Sequence, residues 1–371
     1  MRRSCRCFVL NTDCTIQFLK NKALHLKSFF LFTKCRIYIV MLKRTANYQP
    51  WLFYYFLFAL FWVTLLLFAG GFTTTIRAGM AFLDWPLSNG SINPEGWITE
   101  TDQLAEHGHR LLGMKVGLIA IGLWLWTWFR QERKCVRILA QVLLLMVVLQ
   151  GLMGGARVRL DWLNTQAESN FVAQSFAVSH ACGAMLVLAL LVAITVLCSR
   201  RWVTGDSLTA APISNTVRYL GIASSVGIFF QVLIGAIMRH AEAGLAIARF
   251  PLSTANSLLP AYWDFAVGIN FAHRVGAVFL TVLLLAFLYK SWRDASTRKA
   301  LSYGLFLLLF LLFVQIYLGA LTVWTVRNSY VATFHHLTGA FLLATTCALT
   351  FLSFAPISRN TGVSTESSST S

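Results

Sequence analysis

Charged residues are scarce in this 371-residue chain: they make up 12% of it, whereas hydrophobic residues make up 57%. A soluble domain could not bury so much apolar surface, so the composition excludes a soluble protein and indicates an all-α polytopic membrane protein. Apolar runs of roughly 20 residues, long enough to cross about 30 Å of hydrocarbon, occur repeatedly. They predict eight transmembrane helices at 51–76, 105–128, 136–157, 172–198, 216–239, 263–289, 300–325 and 329–354.

Acidic residues are also few, with 14 Asp and Glu against 31 Lys and Arg and a net charge of +17. This charge does not require nucleic acid as a partner. Many of the basic residues lie within 1–44, most others lie in alternate short loops, and both groups can face anionic lipid. Basic residues concentrate in loops on the inner side of a membrane. Both termini are therefore expected inside, with the inner loops marked by Arg130, Arg133, Lys134, Arg137, Arg200, Arg201, Lys290, Arg293, Arg298 and Lys299.

None of the eight cysteines falls in the long outer loops, which excludes a disulfide on the outer face. Residues 1–40 lack an uninterrupted apolar stretch, so neither a signal peptide nor a spanning helix is predicted there. We expect residues 1–49 to be a basic leader, with Met41 as the true start; the alternative is a basic strip on the inner membrane surface. The Ser/Thr-rich tail 357–371 is expected to be disordered.

Two twelve-residue stretches of the chain are nearly the same, Ala78–Asn89 and Ala243–Thr254, and they lie 165 residues apart. Each is followed by a His-Arg pair at almost the same offset. The chain is therefore predicted to be a duplicated unit, folded as two pseudo-symmetric four-helix bundles over 50–199 and 200–356. Such a scaffold of apolar helices with paired histidines is suited to hold a cofactor between helices, and haem is the first candidate.

Ionisable side chains inside a spanning helix are costly, so each needs a reason. Histidines occur in all the even-numbered spans, at His109, His180, His273 and either His335 or His336. Each lies roughly 4 to 10 residues from the outer end of its helix, or about 6–15 Å deep, so all of them belong to one layer. Paired imidazoles in one layer are what bis-histidine haem ligation requires, with spans two and four holding one haem and spans six and eight another.

The sequence favours a zinc or non-haem iron site less than a haem site, because such ions prefer carboxylate or thiolate ligands beside the histidines. Only Glu106, three residues before His109, provides one, and its counterpart in the second half is Asn270 or Phe271. Glu106 is therefore predicted to act as a proton acceptor or charge stabiliser, which makes the first half the reaction site. The alternative is an acidic residue that the helix dipole favours in a first turn.

Arg110 and Arg274 directly follow their histidines. A guanidinium at this position can pair with haem propionates, which lie at the wet edge of such a site. It can equally extend to the membrane interface, and both interpretations stay open. His107 and His240, near the outer ends of their helices, are expected to be interfacial.

Several motifs, in this order on eight spans, resemble those of haem A synthase, the membrane enzyme of cytochrome oxidase biogenesis, over about residues 50–354. They are Arg77-x-Gly79, Asp84-Trp85-Pro86-Leu87-x-Asn89-Gly90, Glu106-x-x-His109-Arg110-Leu111-Leu112-Gly113, His273-Arg274 and His335-x-x-Thr338-Gly339-Ala340. The resemblance implies that a methyl group of haem O is oxidised to a formyl group by successive hydroxylations. It also implies that the acidic residue near the substrate corresponds to Glu106.

The resemblance further implies a b-type haem cofactor, with its iron between His273 and His335, and the substrate haem O between His109 and His180. It favours His335 over His336 as the ligand. The internal repeat favours the other histidine, since His180-x-x-Gly183-Ala184 matches His336-x-x-Gly339-Ala340.

One departure from the family is in the first outer loop, where many members carry a cysteine pair, often with one Cys after Pro-Leu. This chain has Ser88 there. It is therefore expected to belong to the subset that lacks the pair, and no redox role of that pair operates here.

The resemblance implies delivery of substrate by haem O synthase and an electron acceptor that the sequence does not identify, and it leaves homo-oligomers open. The location is expected to be the bacterial cytoplasmic membrane, or the mitochondrial inner membrane for a eukaryotic source. A different class of function remains as the alternative: a b-type cytochrome that relays electrons, or a haem-delivery scaffold without chemistry of its own.

A chain that starts at Met41 should insert into the membrane and function normally, because residues 1–40 carry neither a motif nor a span. Membrane content and activity of this shortened chain, measured beside the full chain, test the expectation. Loss of either from the shortened chain would show that the leader is required.

Overall fold

The computed structural model describes residues 47–162, 170–204 and 213–355. The predictions for Met41, for the leader up to residue 46 and for the tail 357–371 lie outside these ranges. Within the described ranges, eight helices are long and apolar enough to cross a membrane, which confirms the all-α, eight-span class. We number them α1 (Pro50–Thr75), α2 (Thr101–Arg130), α3 (Lys134–Trp162), α4 (Phe171–Cys198), α5 (Asn215–His240), α6 (Phe265–Arg293), α7 (Ala295–Trp324) and α8 (Ser329–Ser353).

Several helices begin where a polar side chain accepts a hydrogen bond from a free backbone N–H group of the first turn. Such caps are provided by Asn170, Ser214, Asp264, Asp294 and Asn328. The start of α7 shows their effect, because its apolar run begins only at residue 300. Asp294 accepts from the N–H of Thr297 at 2.8 Å and starts the helix at Ala295. Predicted and observed boundaries therefore differ by a few residues where capping, rather than hydropathy, sets the end.

Contacts between helices close each half of the chain into a ring. In the first half, α1 and α3 each contact both α2 and α4, and α5 to α8 repeat this pattern. The two rings of helices, one from each half, meet along a seam. There α1 and α4 contact α8, and α4 also contacts α5. Because they line this seam, α4 and α8 are the most buried spans. This is the contact pattern expected of two four-helix bundles; the division at residues 199 and 200 stays a prediction.

Polar contacts join the two halves near the C-terminal ends of α1 and α5, at the end of the bundles that the charge pattern predicts to be outer and that we call the outer end. Arg239 crosses the seam and donates to the carbonyl oxygen of Gly71 at 2.6 Å and to the hydroxyl of Thr75. Just beyond the helices, Arg77 and Glu242 form an ion pair. These two positions are 165 residues apart, the offset of the sequence repeat. Equivalent points of the two halves therefore meet each other at this seam.

Candidate functional site

The structure brings the predicted histidines together in two pairs. The ring centroids of His109 on α2 and His180 on α4 lie 6.4 Å apart, with the rings at 89°. Those of His273 on α6 and His335 on α8 lie 6.5 Å apart, with the rings at 71°. Each half of the chain therefore contains one imidazole pair, formed by its second and fourth helices.

The spacing within each pair suits one metal ion between two imidazoles. Metal–imidazole bonds are about 2 Å long, so rings on opposite sides of one ion have centroids roughly 6 Å apart. In the described part of the chain, no three His, Cys, Asp or Glu side chains gather as a metal site. A donor set of two imidazoles suits haem, because the porphyrin supplies the remaining ligands of the iron.

His336 faces a different neighbour from His335. A Cβ atom built on Gly71 of α1 would lie 3.0 Å from the Cδ2 atom of His336, so this ring packs against α1 at the seam between the halves. His335 is the histidine that faces His273. Adjacent residues on a helix point about 100° apart, and only one of the two can face the bundle interior.

A glycine on the neighbouring odd-numbered helix makes room for each imidazole of the two pairs. Built Cβ atoms would approach the Cε1 atoms of His109, His180, His273 and His335 at distances of 2.7, 3.4, 3.0 and 3.1 Å. The glycines concerned are Gly70, Gly154, Gly235 and Gly319. The contact at Gly70 leaves no space for a Cβ atom, those at Gly235 and Gly319 are tight, and that at Gly154 is an ordinary van der Waals contact. The glycines therefore let each ring lie close to a helix backbone.

Sequence reasoning missed these glycines, although a signal for most of them was present. Three of them end the pattern Gln-x-x-x-Gly, which starts at Gln150, Gln231 and Gln315; α1 has Leu66 at the corresponding place. Each glutamine lies one helical turn before its glycine and so on the same face. The pattern falls on α3, α5 and α7, the helices against which the histidines pack.

Within each pair, one imidazole has a hydrogen-bond partner at Nδ1 and the other lacks one of ordinary geometry. The Nδ1 atom of His180 lies 3.1 Å from the carbonyl oxygen of Gln150, and that of His273 lies 3.1 Å from Nε2 of Gln231. Among the described residues, the buried Nδ1 atoms of His109 and His335 lack a hydrogen bond of ordinary geometry, although the backbone carbonyl groups of Leu66 and Gln315 lie close to these imidazoles. A backbone carbonyl group beside Nδ1 is the kind of partner that orients an imidazole whose other nitrogen binds a metal.

The arginine that follows the first histidine of each pair fastens an outer loop. Arg110 donates to the carbonyl oxygens of Phe82 at 3.2 Å and Asp84 at 2.8 Å. Arg274 makes the corresponding bonds, at 2.6 and 2.7 Å, to carbonyl oxygens of residues 165 positions further on. The repeat of the sequence is therefore present in the hydrogen bonds. Both arginines were predicted to contact propionates or to extend to the interface. In the structure each binds an outer loop. A propionate contact stays a prediction.

Glu106 takes part in the same loop attachment. Its buried carboxylate accepts from Arg110 at 2.5 Å and from the backbone N–H of Phe82 at 3.0 Å. Asn270 occupies the equivalent place in the second half. Its amide oxygen accepts from Arg274 at 3.0 Å, and its amide nitrogen donates to two loop carbonyl oxygens. A neutral amide therefore does in one half what the carboxylate does in the other.

Ser88 and His107 form a second attachment beneath the first outer loop. The hydroxyl oxygen of Ser88 lies 2.9 Å from Nδ1 of His107, and both residues are buried. Trp97 covers the imidazole, with ring centroids 4.6 Å apart. The loop therefore folds over the helix end and shields His107 from water; its position at the membrane interface stays a prediction.

Asp84 stabilises a turn in the same outer loop. Its carboxylate accepts from the backbone N–H groups of Asn89 and Gly90, each at 2.8 Å. Burial acts to raise the pKa of Asp84, but these two bonds and the nearby Arg110 outweigh it and hold the pKa below its ordinary value. The loop therefore contains a carboxylate that stays ionised at neutral pH.

Two further arginines lie at the outer ends of the bundles without an acidic partner among the described residues. Arg157 on α3 lies against Gly79 and within electrostatic range of His109 and His180. Arg239 on α5 is within electrostatic range of His335. Both side chains are partly buried, and a partly buried cation without a counter-charge is costly, so both places favour an anion. Sequence reasoning overlooked both arginines.

The family model for the cytochrome oxidase assembly protein family, COX15-CtaA, matches residues 53–347 of this chain. The chain belongs to this family. Its similar relatives include a protein named "Heme A synthase" from Geobacillus kaustophilus, which is 30% identical over 278 residues, 72% of this chain and 81% of the relative. A "Heme A synthase" of Listeria welshimeri is 28% identical over 296 residues, 78% of this chain and 91% of the relative. The whole set of eight helices lies within, or close to, the matched range.

Replacing the four glycines by alanine should disturb the two histidine pairs in the order of the distances above. We expect Gly70→Ala to have the largest effect, Gly235→Ala and Gly319→Ala intermediate effects, and Gly154→Ala the smallest, because forced contacts in a packed core cost about 1–3 kcal/mol. Thermal unfolding and the visible spectrum of the purified protein are the measurements.

Gly117→Ala on α2 is the matched control, since a Cβ atom there meets nothing within 4 Å. Equal effects of Gly70→Ala and Gly117→Ala would contradict the packing role of the four glycines.

Proposed function

We propose that this chain is a haem A synthase, which oxidises a methyl group of haem O to a formyl group and so provides haem A for cytochrome oxidase assembly. The observation that carries this proposal is the presence of two imidazole pairs, one in each half, at spacings of 6.4 and 6.5 Å. Membership of the family and the names of its relatives support it. They do not favour an electron carrier or a delivery scaffold without chemistry.

We assign substrate haem O to the pair His109 and His180, and the haem b cofactor to the pair His273 and His335. The cofactor, when bound, supplies an iron centre that changes oxidation state by one electron. The protein would supply the remaining requirements: imidazole ligands from His273 and His335, an apolar surround that excludes water, and ring positions fixed against the glycines of α5 and α7. His336 remains an alternative to His335 that the variants below distinguish.

Glu106 is our proposed catalytic carboxylate. Asn270 shows that an amide suffices to attach an outer loop, so a charged group at position 106 is not needed for folding. The carboxylate lies one helical turn before His109, at the outer end of the substrate pair. There it can accept a proton as the methyl group is oxidised, while Arg110 and the N–H of Phe82 hold its oxygens in place.

Propionates of the two haems are proposed to face the outer end of the bundles. Arg157 and Arg239 suit this role, because both lie near histidine pairs and neither has an acidic partner in the described ranges. Besides the bonds already made, Arg110 retains only its Nε–H group, whereas Arg274 retains one N–H on each terminal nitrogen. We keep both arginines as additional contacts. A guanidinium and a carboxylate form strong charge-assisted bonds, so these contacts would orient the ring.

The protein is an integral membrane protein. We propose that it lies in the bacterial cytoplasmic membrane or, in a eukaryote, the mitochondrial inner membrane, with both termini on the inner side. Haem O is poorly soluble in water and is proposed to arrive from haem O synthase within the bilayer. Homo-oligomers remain open.

Substitution of the histidines should separate the two sites. We expect His273→Ala to remove the low-spin b-type spectrum of protein made without haem O, because one of the two proposed imidazole ligands is lost, and His180→Ala to leave most of it. His335→Ala should behave like His273→Ala, whereas His336→Ala should keep the spectrum, because His336 packs against α1. An unchanged spectrum in His273→Ala would move the cofactor to the first half.

Glu106→Gln should accumulate normally, retain haem b and bind haem O, yet produce little haem A. The amide oxygen can still accept from Arg110, but the amide nitrogen cannot accept from the N–H of Phe82. One buried donor is left without its acceptor, so we expect a loss of stability of about 1–3 kcal/mol. Pigments extracted from membranes that also contain a haem O-producing enzyme give the measurement.

Asn270→Asp is the matched control, because it removes the two bonds that the amide nitrogen donates to loop carbonyl oxygens. It should lower stability at least as much as Glu106→Gln, yet leave haem A production per folded protein intact. Haem A at the normal level in Glu106→Gln would remove Glu106 from the mechanism.

A further inference from the structure

A lysine lies near the middle of the second membrane span, outside both histidine pairs. Lys115 is 14 residues from the start of α2 and 15 from its end, which is about 21 and 22 Å at 1.5 Å per residue. It follows His109 by six residues, and so points about 120° away from it around the helix. Lys115 is exposed on the surface of the bundle that faces the lipid, with Met114 and Leu118 exposed beside it.

The ammonium group of Lys115 contacts an aromatic ring rather than a charge. Its Nζ atom lies 3.9 Å from the ring centroid of Trp62, which is also at the middle of its helix, α1. Among the described residues, no hydrogen bond or ion pair to Lys115 is present. A cation near the bilayer centre is costly, and a lysine so far from either helix end cannot easily extend its charge to water.

Trp62 adds a second donor that lacks an acceptor. Its indole Nε1 atom is buried and has no hydrogen-bond partner in the described ranges. Phe58 and Phe61 lie against the indole, with ring centroids 6.0 and 5.5 Å away, and both are exposed on the membrane-facing surface. The groove between α1 and α2 thus has two hydrogen-bond donors, the exposed ammonium group of Lys115 and the buried indole N–H of Trp62, beside three aromatic rings.

The second half of the chain has no such arrangement. The residue six positions after His273 is Phe279, which is exposed, and the position equivalent to Trp62 is Gly227. Packing of the duplicated helices therefore requires neither the lysine nor the tryptophan. The pair belongs only to the half that we assign to the substrate.

The missing partner must be a hydrogen-bond acceptor that reaches the middle of the bilayer. A second copy of this chain does not supply an acid there, because the acidic side chains that the structure describes lie at helix ends or in loops. Lipid phosphate and ester groups lie at the membrane interface. A quinone meets the requirement, since it dissolves in the hydrocarbon, carries carbonyl acceptors, and has a flat ring that stacks on aromatic side chains.

We propose that Lys115 and Trp62 bind the head group of a membrane quinone, which accepts the electrons of the reaction. The proposal rests on the proposed function, which needs an acceptor. With water as the oxygen source, conversion of one methyl group to a formyl group releases four electrons and four protons; two quinones take them up and leave as two quinols. Lys115 lies only about 9 Å along α2 from His109, so the acceptor is close to the substrate pair.

The test uses the purified holoprotein in lipid nanodiscs, with decylubiquinone as the probe. Its azido derivative should label peptides of α1 or α2 on illumination, and decylubiquinone should compete. Lys115→Met should weaken labelling by about tenfold, the loss expected for one hydrogen bond to a charged group. Trp62→Phe should weaken it less, and Lys115→Arg should restore most of it.

A second measurement follows reoxidation of the dithionite-reduced haem protein after rapid mixing. Decylubiquinone should reoxidise Lys115→Met about tenfold more slowly than the unsubstituted protein, whereas ferricyanide, which acts from water, should show no difference. Phe279→Met, at the equivalent position of the other half, is the matched control and should change neither rate.

Equal labelling and equal reoxidation in Lys115→Met, or labelling confined to other helices, would overturn the quinone site. If the unsubstituted protein makes haem A without binding the probe, the site is wrong and the proposed function stands. If it binds the probe through Lys115 and makes no haem A from haem O, the site stands and the proposed function is wrong.

Discussion

The close contact between each imidazole and the backbone of a neighbouring helix is the constraint on which the rest of the structure depends. An imidazole in an apolar bundle needs both space and a polar partner. Glycine on the adjacent helix supplies the space, and in three cases a glutamine one turn earlier lies beside the ring. With each ring held in this way from behind, the two rings of a pair keep a separation that one metal ion can bridge.

Much of this arrangement could be predicted from the sequence. Apolar runs gave the eight spans, and the shared depth of His109, His180 and His273 indicated the pairs, because depth along a helix follows directly from residue counting. The choice between His335 and His336 could not be made, since neighbouring residues share their depth and only helix packing decides which one faces inward. The partners of Arg110 were missed for a related reason, because they are carbonyl groups positioned by the fold of a loop.

The two halves show how a duplicated scaffold can keep its packing and change its chemistry. The bonds from Arg110 and Arg274 to their loops are the same, and the glycines recur. Glu106 and Asn270 attach equivalent loops with different groups, since the carboxylate accepts from a loop N–H and the amide nitrogen donates to loop carbonyl oxygens. Lys115 has no counterpart of similar chemistry, and neither has Trp62. Such differences stand out because the other half serves as an internal reference for what folding alone requires.

The attachment of the outer loops has a consequence for the route of a large ligand. Arg110 and Arg274 hold the loops from within the bundles, and the buried Phe82 and Ile247 close the space beneath them. The attached loops therefore cover the outer end of each histidine pair. Under the proposed function, a tetrapyrrole would enter and leave sideways, between two helices, with the bilayer as the reservoir for substrate and product.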